Sequence, residues 1–169
     1  AQDSINFKKS LFDFPETLNK KRLIGVSVGS AVAYCGIMTG VGFAWYGKEK
    51  LGKFHWFSDE KEWNQIDKTG HFFAPYFITT YTYNMLRWSG MKNTPAALAA
   101  GAFGFISLSA IEILDGMTNK YGASWSDLVF NFSGAALATT QYLLWKEQRM
   151  TTKYSFHIVN YPKGELRDR

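Results

Sequence analysis

The stretch LIGVSVGSAVAYCGIMTGVGFAWY, Leu23 to Tyr46, contains no charged residue. As a helix rising about 1.5 Å per residue it is long enough for a hydrocarbon core of about 30 Å. Pro15 and Glu16 mark a helix start and Gly47 a stop, which predicts one helix over 15–46. A soluble bundle helix would show a polar face at the 3.6-residue period, and this stretch shows none. Within it Gly25, Gly29, Ala33, Gly36 and Gly40 recur at spacings of four and three. Such a strip of small residues lets a second helix approach closely in lipid.

The rest of the chain repeats the pattern of uncharged spans between charged blocks, which a mean hydropathy of −0.19 conceals. Asp59 and Glu62 resemble a capping box and predict a second helix over about 60–88, kinked at Pro75. Thr94-Pro95 opens a third over 95–115, with Gly101 and Gly104 on one face. A fourth covers 125–147, with Gly134 and Ala138 on one face. These three spans are short and call for tilt, a thin bilayer or shelter by other protein. Trp45, Trp56, Trp88, Trp125 and Trp145 fall near span ends, as an interfacial belt requires. The expected fold class is all-α, a four-helix membrane-embedded bundle with a short C-terminal strand. It divides into an N-terminal periplasmic segment 1–14, a helical membrane domain 15–147 and an extended tail 148–169. In the tail, Lys153 to Tyr161 alternates polar and apolar residues like a strand that pairs with a partner's edge.

At 169 residues the chain has room for one domain, and 17% aromatic residues exclude a disordered tail. A single cysteine, Cys35, excludes an internal disulfide and a cysteine-rich zinc module, and reads as a small apolar filler. The formal charge is +5, with the basic excess at span edges and tails. That placement excludes nucleic acid and favours anionic lipid headgroups.

Four antiparallel spans put the loop before helix 2 and the loop between helices 3 and 4 on one side. Asp67 and His71 lie four apart at the start of helix 2, Glu112 and Asp115 three apart at the end of helix 3. Asp127 and Asn131 lie four apart at the start of helix 4, so all six come out at one depth. Four carboxylates with His71, and Lys68 nearby, cannot all stay ionised cheaply near a bilayer. Trp63, one turn before Asp67, is placed to roof them. Three readings compete. The cluster is a hydrogen-bonding network that fixes helix pairing, an acid–base site on an amphiphile with His71, Glu112 and Asp115 as catalytic candidates, or a metal site with Asp67, His71 and Glu112 as ligand candidates. No catalytic residue or cofactor is assigned; a bound lipid or a divalent cation is compatible with the cluster.

Asp67-Lys68-Thr69-Gly70-His71-Phe72 resembles the Asp-Lys-x-x-His-Phe signature of the VanZ-like membrane proteins. It is equally similar to a related family of predicted periplasmic lipoproteins. Glu112-Ile113-Leu114-Asp115-Gly116, then Gly122-Ala123-Ser124-Trp125-Ser126-Asp127, Asn131 and Gly134, resemble their second signature. The resemblance covers about residues 63–145 and implies a helical cell-envelope protein. It also implies, for the lipoprotein members, an acylated N-terminal cysteine, which Ala1-Gln2-Asp3 does not offer.

A start without methionine reads as a removed signal peptide, placing Ala1 beyond the inner membrane. Lys and Arg number five before the first span, two between the second and third, and six after the fourth, thirteen of 19. The positive-inside rule would put both termini in the cytoplasm. An outer-membrane location with periplasmic termini reconciles the two, with the inner membrane as the alternative. The expected function is a non-catalytic integral membrane subunit of a larger envelope assembly, such as a protein export or assembly machine. The rival is a VanZ-like enzyme or binder acting on an envelope lipid or lipid-linked glycan through the cluster. Expected partners are membrane lipids and a larger membrane protein.

Overall fold

The computed structural model describes residues 15–58, 66–153 and 155. Among them the chain is all-helical, with α1 Lys20–Val41, α2 Ile66–Trp88, α3 Asn93–Gly116 and α4 Trp125–Leu144, and no strand. The capping box at Asp59 and Glu62, Trp63, and most of the alternating tail segment fall outside the described residues.

α1 starts later than Pro15 because Asn19 caps it, its side chain accepting from the Arg22 N–H at 3.1 Å. The helix then widens into a π-helical turn, Gly42–Tyr46, before Gly47. Ser124 caps α4, its hydroxyl accepting the Asp127 N–H at 3.3 Å. Between α2 and α3 the chain turns at Gly90, whose φ of 86° suits glycine. A Cβ there would also meet the Thr17 carbonyl.

α2, α3 and α4 form the core. Lys68 meets Asp127 at one end of α2 and α4, and Tyr83 stacks on Tyr142 at 3.6 Å near the other, so these helices run parallel. α3 runs back between them. Small residues set the spacing. A Cβ on Gly104 would stand 2.9 Å from the Pro75 carbonyl oxygen, one on Gly101 would meet Thr139, and one on Gly134 would run into the Phe72 carbonyl. Pro75 itself sits buried inside α2, its missing N–H tolerated where α3 packs closest.

α1 leans on this core and buries no residue in it, so the packed unit is a three-helix core with one peripheral helix. Leu23 and Val26 rest against the cluster formed by Tyr83, Leu86, Ala96, Ala97, Ala100 and Tyr142. Tyr34 donates to the Ser107 carbonyl at 3.1 Å, and Tyr46 reaches the end of α3. In the strip Gly25, Gly29, Ala33, Gly36 and Gly40, Gly25 and Ala33 stand one residue before the contacting Val26 and Tyr34, about 100° round the helix. All five are exposed, and among the described residues no atom outside the helix's own backbone comes within 4 Å of a Cβ position on the four glycines.

The connections confirm the shared side. The α1–α2 segment pairs with the α3–α4 loop through bridges Leu51↔Thr118 and Trp56↔Ala123. Trp56 stacks on Trp125 at 4.3 Å, and Phe54 fills the space that a Cβ on Gly116 would take. Lys120 ties the loops together by a 3.4 Å pair with Glu49, and the Tyr121 hydroxyl and then Glu49 raise its pKa. α1 with its π turn, Lys20–Tyr46, and α3 are the two described helices long and apolar enough to cross a membrane. α2 and α4 were expected to span as well. α2 carries Asp67, Lys68 and Arg87 within its length, and its buried stripe includes Thr79 and Thr80.

Candidate functional site

The ends of α2, α3 and α4 nearest the paired loops carry the polar cluster. Asp67 and His71 share one face of α2, with Asp67 Oδ1 3.6 Å from His71 Nε2. α4 supplies Asp127, whose Oδ2 lies 3.9 Å from the same nitrogen, and Asn131, whose Oδ1 lies 3.1 Å from His71 Nδ1. α3 supplies Glu112, with Oε1 3.6 Å from His71 Nδ1. The imidazole is thus the hub, and five of the six residues picked from the sequence surround or include it. The sixth, Asp115, faces elsewhere and accepts a 2.6 Å hydrogen bond from the Tyr46 hydroxyl. One turn of α3 therefore divides its acidic pair between the core and α1.

Burial grades across the group. Glu112, Asp127 and Asn131 are 3%, 4% and 0% exposed, whereas the Asp67 side chain is 51% exposed and opens the cluster to the outside. Sequence reasoning put Lys68 only near the cluster and left out Ser124. Lys68, buried, donates to Asp127 Oδ1 at 2.5 Å. It stands on the same buried stripe of α2 as Pro75, Tyr76, Thr79 and Tyr83, and that register was the available signal. Ser124 donates its N–H to Glu112 Oε2 at 3.0 Å, as well as capping α4. A backbone donor leaves no signal in composition.

The group can hold three helix ends together, carry a proton between Nδ1 and Nε2 partners, or present oxygen and nitrogen ligands to a cation. A serine hydroxyl pair, Ser124 with Ser126 at 2.8 Å, sits beside it. At the opposite end, Gln141 secures the start of the tail. Its Oε1 accepts from the Arg149 and Met150 N–H groups at 2.9 and 2.7 Å, and Tyr76 donates to the Met150 carbonyl at 2.6 Å.

Fold and cluster together define a helical bundle with a buried polar end. The model of the predicted periplasmic lipoprotein family (DUF2279) matches residues 54–144. The chain belongs to that family, whose description points to the cell envelope. The matched segment contains the three core helices and the aromatic loop residues from Phe54 onward, and leaves α1 and the tail outside. No curated protein and no solved structure matches the chain.

Proposed function

We propose that the protein is a non-catalytic integral membrane subunit of a larger cell-envelope assembly, in the outer membrane with periplasmic termini. One observation carries this reading: α1 is apolar, long enough to span, and uncovered along the glycine strip among the described residues. Ile24, Val28, Val32 and Ile37 are each more than half exposed beside that strip. Water would penalise such a surface by about 25 cal/mol per Å², whereas lipid and a partner helix would not. Small residues in register suit a partner's transmembrane helix better than lipid alone.

The native particle, extracted in mild detergent, tests this. Stoichiometric co-purifying membrane protein is expected, and Gly29→Leu with Gly36→Leu should release it while helicity persists. A lone 19.2 kDa chain, or a partner retained by both variants, would sink the reading.

The second reading, a VanZ-like enzyme or binder acting on an envelope lipid or lipid-linked glycan, draws support from His71, set between the half-exposed Asp67 and the buried Asp127. Loss of activity in His71→Ala and Glu112→Ala, with assembly and folding intact, would select it.

A further inference from the structure

At the polar end of the bundle, electron-pair donors outnumber protons. In the Nδ1–H tautomer His71 donates to Asn131 Oδ1 at 3.1 Å, with Glu112 Oε1 at 3.6 Å. Nε2 then presents its lone pair toward Asp67 Oδ1 at 3.6 Å and Asp127 Oδ2 at 3.9 Å. One ligand atom from each of Asp67, His71 and Asp127 lies within 4.8 Å of the others. Three such atoms facing one another repel, and a cation between them reverses the sign.

Glu112 supplies a second and separate observation. Its carboxylate is 3% exposed, Oε2 is used by Ser124, and Oε1 has no hydrogen-bond partner while it faces the imidazole. Metal-bound imidazoles hold their other ring nitrogen against a carboxylate or carbonyl, which fixes the tautomer and strengthens the ligand. Glu112 and Asn131 stand in those outer positions. Charge agrees as well. Fully ionised, Asp67, Glu112 and Asp127 set against Lys68 would carry a surplus of two negative charges, which burial opposes and a bound cation would relieve. Lys68 takes Oδ1 of Asp127 and leaves Oδ2 turned to His71.

We propose that His71 Nε2, Asp67 Oδ1 and Asp127 Oδ2 bind one divalent transition-metal ion of the zinc type, with water completing the shell. The imidazole selects against magnesium and calcium, which prefer oxygen alone. Zinc ligands at about 2.0–2.2 Å stand about 3.4 Å apart on a tetrahedron. The observed 3.6 and 3.9 Å separations therefore close by a few tenths of an ångström. The half-exposed Asp67 provides the way in, and the ion would staple α2 to α4. The site stands whether or not the protein is an assembly subunit.

The full chain in mild detergent, stripped with a chelator and dialysed against Zn²⁺, tests the site. One zinc per chain is expected, retained when His55 and His157 are replaced by alanine, with X-ray absorption showing a single imidazole ligand. Asp67→Asn should weaken zinc binding at least tenfold, and Asp115→Asn should leave it unchanged. Asp67 is half exposed, so its variant reports even where His71→Gln fails to fold. Failure to retain zinc, equal retention by Asp67→Asn, or binding of Mg²⁺ or Ca²⁺ in place of Zn²⁺ would each overturn the proposal.

Discussion

Lys68 has the most to lose from a single substitution. Its ammonium is buried against the equally buried Asp127, a pair with almost no access to water. Removing one partner strands the other charge, which costs about 3–5 kcal/mol, whereas replacing both by apolar residues is often neutral. Lys68→Met is expected to destabilise the protein by that amount in thermal unfolding in detergent, and the Lys68→Met/Asp127→Leu pair to recover most of it. Equal stability of the single variant and the wild type would show the pair to be unimportant. Spacing made His71, Asp67, Glu112, Asp127 and Asn131 legible, because residues three or four apart share a helix face and topology brings the faces together. Asp115 was placed with them on the same argument, yet a residue three positions on is also turned enough to meet a different helix, and Tyr46 claims it. The sequence period specifies a direction and cannot specify who stands there.

The helices show the same limit in their glycines. Strips of small residues are visible in the first, third and fourth spans, but among the described residues only those of α3 and α4 are packed. Gly134 is pressed against the backbone of Phe72, which cannot give way as a flexible side chain would. Gly134→Ala is therefore expected to destabilise by about 1–3 kcal/mol. Gly29→Ala, with open space around it, should be neutral or slightly stabilising through helix propensity. Chemical unfolding of the two variants side by side separates them, and the same loss from both would contradict the packing described. The helix ends were read less well. Pro15 and Glu16 suggested an early start for α1, but the Asn19 side chain closes the first turn four residues later.

At the scale of the whole molecule, the core is three helices and their paired loops, and α1 is an attachment. The family match from residue 54 to 144 takes in the former and omits the latter. A chain beginning at Lys48 is accordingly expected to keep the helical circular dichroism of α2, α3 and α4 and a cooperative melt, with a lowered midpoint. It gives up the contacts of Leu23, Val26, Tyr34 and Tyr46, together with those of Asn19 and Arg22 to the end of α2. Collapse to a non-cooperative state would mean that α1 is integral to folding. The shared side of the two polar loops followed from alternation alone. The docking of the tail on Gln141 did not, since a glutamine in the last turn of a helix announces no partner for its amide.

The π turn at Gly42–Tyr46 accommodates one residue more than an α turn would. It acts as an in-frame insertion that shifts the phase of everything after it relative to everything before. Were the same five residues to close as an α-helix, Tyr46 would rotate by about a quarter turn away from Asp115. The segment before Gly42 would keep its orientation. The anchoring tyrosine and the outward strip are thereby set on independent dials, so one can be adjusted by selection without disturbing the other.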